Sequence, residues 1–300
     1  MITKKEYDRT IEQHYQGVAK EHGLSATSTM SDEITRDLET DAITQFVGES
    51  LRLRQIEGSS GKATIMDVGC GNGYTLDVLS NKYPDQNYVG IEKSDELRSL
   101  ASSRFVENNN VKIFEGDIRD KDFAKTITAD ILISQRVLVN LLEKDDQKLA
   151  LHNIINAVNS PNSWRSGGTL LFVECFLSPL ARLNDARSEF DLQPISPAHH
   201  NLYLPDDFFE IPHLKPLQTD RLFTPPNFLS THYYVTRVLH PIFTHDKPFK
   251  RNSEFVRFFS YALNQNAGDY SPLKLYMFEK TEEAQGLAPD GYSSALHSRR

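Results

Sequence analysis

A regular alternation of apolar runs and amphipathic runs begins near residue 63 and restricts the fold of this 300-residue chain more than any other feature. Strands that alternate with helices in this way are typical of a parallel sheet. The predicted strands cover residues 63–68, 87–92, 111–115, 130–135 and 169–175. The predicted helices cover residues 74–82, 95–106, a short stretch near 121–126, and 145–159.

The segments on either side of this alternation have different patterns. Before it, Ile34, Leu38 and Phe46 recur at helical spacing, and Thr29 with Asp32 matches a capping box at the start of that helix. After residue 175 the alternation stops in a long stretch that is rich in proline and aromatic residues. Long ordered insertions in compact folds are usually functional, so this stretch predicts an inserted cap. A candidate strand at 228–235, a helix near 254–264 and a last strand at 274–279 follow.

These patterns divide the chain into predicted parts. The sheet is expected to be doubly wound, with helices on both of its faces. The parts are an N-terminal helical cover (1–57), an α/β core (58–176), an inserted substrate cap (177–230), the end of the core sheet (231–281) and a disordered tail (282–300).

Composition limits the location and the partners of the chain. No apolar run reaches the roughly 18 residues that a membrane span requires, and the N-terminus lacks the apolar stretch of a secretory signal. Two cysteines, Cys70 and Cys175, are too few for a disulfide framework, which predicts a cytoplasmic protein. A net charge of −8 argues against a nucleic acid as the principal partner and favours a small molecule. A homodimer is compatible with the sequence.

The strongest motif directly follows the first predicted strand and reads Asp67-Val68-Gly69-Cys70-Gly71-Asn72-Gly73. Glycines at the first strand-to-helix turn let the backbone approach a ligand that a side chain would exclude. The third glycine falls one residue early for the dinucleotide-binding motif G-x-G-x-x-G. The negative charge of Asp67 would also repel a pyrophosphate, whereas it suits a cationic ligand. A tight turn without a ligand and a nicotinamide-dependent oxidoreductase are the competing interpretations.

On this motif the sequence resembles the class I S-adenosylmethionine-dependent methyltransferases, over about residues 60–175 and again in the final strand. The resemblance implies S-adenosylmethionine as the cofactor and a mostly parallel, seven-stranded, Rossmann-like sheet. It implies that Gly69, Gly71 and Gly73 lie against the amino-acid and ribose parts of the donor. Asp67 would hold the ammonium group, directly or through water.

The same resemblance assigns roles at the ends of the next strands. Glu92 would accept hydrogen bonds from both ribose hydroxyls, although it could also be an ordinary strand end. Asp117 would accept from the adenine amine, with Ile118 against the ring, unless Asp117 serves only the turn. Gln135 and Arg136 would line the methionine end, and an ion pair is the equal alternative for Arg136. The residues thus predicted to bind the donor are Asp67, Gly69, Cys70, Gly71, Asn72, Gly73, Glu92, Lys93, Asp117, Ile118, Gln135 and Arg136.

The N-terminal helices would fold over the donor as a cover in such an enzyme. The candidates for contact with the donor are Tyr7, Tyr15, Thr29, Met30 and Arg36. Plain packing or solvation is the stronger interpretation for each of these residues on sequence grounds.

Methyl transfer from a sulfonium is an in-line displacement that depends on position and on the exclusion of water. A hydroxyl acceptor usually also needs a general base. Six of the ten histidines lie between residues 178 and 260, and histidine is the commonest base near neutral pH. The predicted catalytic residues are His200, His232 and Glu174, with a structural role as the alternative for each histidine. Asn184 and Arg187 are candidates to hold an anionic or hydroxylated group.

The sequence contains no H-E-x-x-H or C-x-x-C motif, so no metal is predicted. Its favoured function is transfer of a methyl group to an O or N atom of a polar small molecule, such as a sugar, a nucleotide sugar or a secondary metabolite. A protein or RNA methyltransferase and a non-catalytic donor-binding protein are the alternatives.

Overall fold

One seven-stranded mixed sheet forms the centre of the computed structural model, which describes residues 4–28, 30–124, 127–161, 166–221, 224–244 and 252–282. Its strands are β1 (Thr64–Val68), β2 (Asn87–Glu92), β3 (Val111–Glu115), β4 (Ile131–Gln135), β5 (Thr169–Cys175), β6 (Leu214–Pro216) and β7 (Leu273–Lys280). The strand order is β3-β2-β1-β4-β5-β7-β6. Neighbours among β1 to β5 pair in parallel, whereas β7 is antiparallel to both β5 and β6. The predicted doubly wound sheet is therefore confirmed.

Helices cover both faces of the sheet because successive strand side chains point to opposite sides. The helices are α1 (Lys4–His22), α2 (Glu33–Ile56), α3 (Tyr74–Lys82), α4 (Asp95–Arg104), α5 (Lys144–Asn156), α6 (Leu177–Ser188), α7 (Ser230–Tyr234), α8 (His240–Thr244) and α9 (Glu254–Ala262). Ile65 faces a core formed with α2, α3 and α4. Its neighbour Met66 faces the opposite core, which α5 completes.

The start of α2 differs from the predicted capping box. Asp32 is itself the N-cap of this helix, and its Oδ1 accepts a hydrogen bond of 3.1 Å from the Thr35 amide. Thr29 lies outside the described residues. The helix therefore begins one residue after Asp32, which places Arg36 and Glu39 in its first two turns.

Two predicted elements of the chain are wrong. Residues 228–235 do not form a strand but a turn followed by α7, and the remaining strand of the sheet is β6 instead. The Ser230 and Thr231 hydroxyls donate to the carbonyls of Ala267 and Asn264, so tertiary contacts override the strand preference of this segment. The predicted short helix near 121–126 is a turn over residues 121–124, and residues 125 and 126 lie outside the described part.

At its C-terminal end the chain is described as far as residue 282. The predicted tail at 282–300 lies outside the described residues from position 283 onward. None of the helices within the described ranges has both the length and the apolar character needed to cross a bilayer.

In the structure the insertion runs from the end of β5 to the start of β7, residues 176–272, which is longer than the predicted cap. A buried polar chain ties it to the N-terminal cover. His232 in α7 is fully buried, and its Nε2 lies 2.9 Å from Asp32 Oδ2. Its Nδ1 lies 2.7 Å from the Ser260 hydroxyl in α9. Three helices from distant parts of the sequence therefore meet at one side chain. Because Asp32 also caps α2, this contact fixes the helix that carries Arg36 and Glu39.

We expect Asp32→Ala to lower the free energy of unfolding by about 3 kcal/mol, since it leaves a buried histidine and a helix N-terminus without their acceptor. Chemical denaturation measures this change. The neighbouring Glu33→Ala is the matched control, because Glu33 pairs with Arg257 at 2.8 Å while both side chains are substantially exposed. Its loss should stay below about 1 kcal/mol. Equal losses for the two variants would contradict the role of the buried chain.

Candidate active site

The glycine motif forms a left-handed turn at the C-terminal end of β1, beside the point where the strand order reverses between β1 and β4. Gly69, Gly71 and Gly73 have φ angles of +70°, +56° and +79°. A β-carbon on Gly69 would lie 2.5 Å from a methyl carbon of Val137. The turn therefore needs glycine for its conformation and, at Gly69, also for space.

Asp67 lies beneath this turn as a buried carboxylate. Its side chain is 1% exposed, and its Oδ1 has no hydrogen-bond partner. Burial, and then the negative charge of Glu92, raise the pKa of Asp67 to about 8, while Arg36 and Arg136 oppose this rise. A buried carboxylate without a partner is costly unless a cation or a donor satisfies it.

Glu92, at the end of β2, holds the glycine turn in place. Its Oε2 accepts from the Gly71 amide at 2.9 Å, and its Oε1 accepts from the Ser94 amide at 2.8 Å. Burial raises the Glu92 pKa, and these amide hydrogen bonds oppose the rise. The Lys93 amide also contributes, and because a carboxylate has about four acceptor sites, capacity to accept from a ligand remains. That capacity suits the two neighbouring hydroxyls of a ribose.

The predicted adenine acceptor, Asp117, is instead held in an ion cluster. Arg119 Nη2 donates to Asp117 Oδ2 at 2.6 Å, and Lys93 Nζ lies 3.0 Å from the same oxygen. Asp8 of α1 also pairs with Arg119, at 2.9 Å. Although burial opposes it, the hydrogen bonds from Arg119 hold the Asp117 pKa well below its usual range. This cluster ties α1 to the ends of β2 and β3, and the contact from Asp117 to the adenine amine stays a prediction.

Asn72, Cys70 and Ile118 are similarly engaged by the protein. Asn72 Nδ2 donates to the carbonyls of Gly23 and Ser25 at 2.9 Å each, which ties the α1–α2 connection to the glycine turn. Cys70 is buried, and burial raises its thiol pKa. Ile118 is buried in the core beside α5. The Asn72 side chain therefore has a structural role, and its contact with the donor stays a prediction.

Arg136 follows β4 in a left-handed conformation with φ of +54°. Its guanidinium pairs with the fully buried Glu39, a residue that the sequence reasoning missed. Burial opposes the charge of Arg136, but Glu39 raises its pKa above the usual value. Arg36 lies 3.9 Å from Glu39 as well. The i to i+3 spacing of Arg36 and Glu39 on α2 was the available signal for this pair.

Gln135 and Tyr15 complete the wall beside Arg136. Gln135 Nε2 donates to the Thr75 hydroxyl at 2.9 Å. The Tyr15 hydroxyl of α1 accepts from Asn140 Nδ2 at 2.5 Å, and Asn140 was not foreseen from the sequence. Burial and then Glu92 raise the Tyr15 pKa to about 12. Tyr15 is therefore a neutral phenol that brings α1 close to the ends of β2 and β4.

Two of the three predicted catalytic residues have structural contacts instead. Glu174 accepts hydrogen bonds from the Val137, Leu138 and Val139 amides, at 2.9 to 3.1 Å. Burial raises its pKa to about 7, and these amides oppose the rise. His232 has both ring nitrogens engaged by Asp32 and Ser260. Both side chains therefore have structural roles, and a role of either as general base stays a prediction.

His200, the third predicted catalytic residue, has a ring nitrogen without a hydrogen-bond partner. Its half-buried ring stacks on His14 of α1 at 3.9 Å, and His199 meets it edge-on. Its Nδ1 is buried without a hydrogen-bond partner. Burial, and then the two neighbouring histidines, lower the His200 pKa to about 4. The ring is therefore neutral at physiological pH and can accept a proton or a hydrogen bond.

The predicted pair Asn184 and Arg187 holds the inserted chain. Asn184 exchanges two hydrogen bonds with the backbone of Ile195, at 2.8 and 2.9 Å. Arg187 donates to the carbonyls of Gln193 and Arg237. Within the described part of the chain, no group of three His, Cys, Asp or Glu residues converges as a metal site.

A separate surface cleft opens at the opposite edge of the sheet, where Arg54, Asp130 and Gly168 are among its lining residues. Arg54 and Asp130 form an ion pair at 2.5 Å, and Asp130 also accepts from the Thr64 amide and from Asn159. Arg54 and Asp130 thus neutralise each other, although Glu57 and Glu279 also line the cleft.

Part of this chain is similar in sequence to known methyltransferases. Residues 65–160 match the family model of a methyltransferase domain. Over 65 residues the chain is 34% identical to the tRNA (guanine-N(7)-)-methyltransferase of Clostridium acetobutylicum, covering 19% of this chain and 31% of that protein. Over 116 residues it is 28% identical to the putative methyltransferase 235L of Invertebrate iridescent virus 6, covering 39% and 40%. The chain thus matches well under half the length of these curated relatives.

A solved structure shares the whole fold. The N-methyltransferase NodS from Bradyrhizobium japonicum WM9, in complex with S-adenosylhomocysteine, superposes with a TM-score of 0.51 over 90% of this chain and 98% of that one. The identity between the two sequences is 11%, so the likeness concerns the fold alone.

We expect Asp67→Asn to stabilise the ligand-free protein in a pH-dependent way. Below about pH 4 the wild-type carboxyl is protonated in both the folded and the unfolded state. As pH rises toward 8, the unfolded chain loses this proton while the folded protein retains it, so the wild type loses stability that the asparagine variant keeps. The difference in melting temperature should therefore grow from pH 5 to pH 8.

The exposed residue Asp85 provides the control, since Asp85→Asn should show no such growing difference. A constant offset between Asp67→Asn and wild type across this pH range would refute the buried, uncompensated carboxylate.

Proposed function

We propose that this chain is a class I S-adenosylmethionine-dependent methyltransferase and that it transfers a methyl group by in-line displacement to an O or N atom of a polar small molecule. The proposal rests on two carboxylates beside the glycine turn. The buried Asp67 Oδ1 has no hydrogen-bond partner, and Glu92 accepts from the Gly71 amide. These groups suit opposite ends of one ligand, an ammonium and a ribose.

The residues at the site fit this donor. S-adenosylmethionine, when bound, supplies a methyl group on a positively charged sulfur. Asp67 would hold its ammonium group and Glu92 its ribose hydroxyls. Gly69, Gly71 and Gly73 would leave the backbone open for close approach. Arg136 carries a positive charge at the methionine end, where a carboxylate belongs.

The N-terminal cover excludes water from this site. Asn72 holds the connection after α1, Asp8 pairs with Arg119, and Tyr15 meets Asn140. These contacts place α1 across the ends of β2, β3 and β4. Exclusion of water strengthens the electrostatic interactions of the donor and prevents competing hydrolysis.

His200 is our candidate to receive a proton from the acceptor. Its neighbour Asn201 donates to Asn140 Oδ1 at 2.9 Å, and Asn140 contacts Tyr15. His200 therefore lies beside the end of β4, where the acceptor is expected. A neutral histidine with a low pKa is a weak base, which suits an amine acceptor better than an alcohol.

The proposal of a small-molecule acceptor rests on charge and enclosure. The net charge of −8 disfavours a nucleic acid. Half-buried histidine and tyrosine side chains of α1 and the insertion line the region next to β4 and β5. Transfer of label from radioactive donor to nuclease- or protease-sensitive material would instead favour an RNA or protein acceptor.

We expect Glu92→Gln to weaken binding of S-adenosylhomocysteine by at least roughly 10-fold, because it removes the charge that strengthens the hydrogen bonds to the ribose. Isothermal calorimetry measures this affinity. Glu115→Gln is a matched control, since Glu115 lies opposite Glu92 at the end of the adjacent strand and is largely exposed. No binding heat with the wild type, or equal affinity in both variants, would defeat the proposed function.

We expect His200→Asn to slow methyl transfer by roughly 100-fold while affinity for S-adenosylhomocysteine is unchanged. Labelled transfer to a metabolite extract measures the rate. The ratio of the wild-type rate to the His200→Asn rate removes titration of the acceptor, which affects both proteins alike. This ratio should stay level from pH 8 to pH 5, because the lowered pKa keeps His200 neutral, and should fall as pH approaches 4. His152→Asn, an exposed histidine of α5, is the control. A ratio that falls already between pH 7 and pH 6 would speak against His200.

A further inference from the structure

Arg237 is a half-buried cation of the insertion that has no carboxylate partner among the described residues. It lies in one turn of π-helix, Val235–Leu239, between α7 and α8. Its guanidinium carbon lies 3.8 Å from the centre of the Tyr233 ring, and its Nη1 donates to the Thr236 hydroxyl at 2.5 Å. Single π-helical turns within α-helices are frequent at functional sites.

A second arginine without a carboxylate lies next to it. Arg187 of α6 donates to the Arg237 carbonyl and twice to the Gln193 carbonyl, at 2.9 and 2.6 Å. Burial and then the charge of Arg237 lower the Arg187 pKa. Two positive charges are therefore held close together against their mutual repulsion.

This arrangement differs from that of the other arginines. Every other buried or half-buried arginine in the described ranges pairs with a carboxylate within 4.0 Å. They are Arg36, Arg52, Arg54, Arg98, Arg104, Arg119, Arg136 and Arg257. In a chain with a net charge of −8, two adjacent arginines without an acid therefore form a local excess of positive charge.

Tyr233 connects this positive charge to the candidate active site. Burial raises the Tyr233 pKa to about 12; Arg237 opposes this rise, and Glu39 adds to it. Tyr233 is thus within electrostatic range of Arg237 and of Glu39, the partner of Arg136. The next residue, His232, bonds to the N-cap of α2. Arg237 therefore lies next to residues of the insertion that contact the start of α2, the helix that carries Glu39.

We propose that Arg237, with Arg187 behind it, binds an anionic group of the acceptor, a carboxylate or a phosphate. This inference rests on the proposed function and specifies its substrate class. A guanidinium offers a planar fork of donors that matches both anions, and stacking on Tyr233 fixes the plane of that fork. Asp32 interacts with Arg237 only at longer range than an ion pair, so the anion would supply the contact partner that Arg237 lacks among the described residues.

The test uses the full chain and a metabolite extract separated on an anion exchanger before the reaction. Each fraction is incubated with radiolabelled S-adenosylmethionine and with wild-type protein, Arg237→Gln, Arg237→Lys or Arg221→Gln. Arg221 is an exposed arginine of the insertion and serves as the matched control. Binding of S-adenosylhomocysteine, measured by calorimetry on every variant, reports whether each protein is folded and has an intact donor site.

We expect label to enter a molecule of the anionic fraction with the wild type. At limiting extract, Arg237→Gln should lower the initial rate by roughly 30-fold or more. Arg237→Lys, which keeps the charge but not the fork, should lose less, and Arg221→Gln should match the wild type. Affinity for S-adenosylhomocysteine should be equal in all four proteins. Phosphatase treatment of the fraction separates the two sources of charge, since a phosphate monoester acceptor is lost and a carboxylate acceptor survives.

Label that enters only the neutral or cationic fractions overturns the inference and leaves the proposed function intact. The inference is likewise overturned, with the proposed function intact, if Arg237→Gln methylates the anionic fraction as fast as the wild type does. If Arg237→Gln fails to bind S-adenosylhomocysteine, the Arg237→Lys variant provides the test instead. The inference is also overturned if the ratio of the rate on the anionic fraction to the rates on the other fractions is the same in Arg237→Lys as in the wild type. Absence of labelled small molecules with wild-type protein that binds S-adenosylhomocysteine overturns both.

Discussion

The buried carboxylate of Asp67 is the constraint around which this site is organised. It lies at the end of the central strand β1, beneath a turn whose left-handed glycines bring no side chain to cover it. The arginines that offset its charge, Arg36 and Arg136, are already engaged by Glu39. Without a ligand, burial therefore favours the neutral acid below about pH 8, and a ligand with a positive group would restore the charged carboxylate.

The same requirement explains why the N-terminal helices are attached so firmly. A cationic group is held strongly by a carboxylate only where water is excluded. The α1 helix and its connection contact the ends of three strands through Asp8, Tyr15 and Asn72. The α2 helix delivers Glu39 from the opposite side, and Asp32 at its start is tied to His232 of the insertion. Cover, donor site and insertion are thus parts of one polar framework.

The sequence predicts the sheet and the glycine turn because both are determined by local patterns. Strand periodicity located β2, β3 and β5 at their observed bounds, and the spacing of Gly69, Gly71 and Gly73 indicated the turn. The roles of side chains were harder to infer where the partner is distant. His232 was interpreted as a base because nothing nearby in sequence marks Asp32, 200 residues away, as its partner. Residues 228–235 likewise read as a strand because their hydroxyl contacts are made with residues 264 and 267.

Under the proposed function, the two arginines of the insertion would give the site an electrostatic direction. Asp67 and Glu92 would favour a positive group on the donor side, whereas Arg187 and Arg237 would favour a negative group on the insertion side. A donor and an acceptor of opposite charge would each be repelled from the position of the other, because like charges at close range disfavour binding by several kcal/mol. Charge alone would then orient the two reactants before any specific hydrogen bond forms, which is an economical way to bring two small molecules into line for transfer.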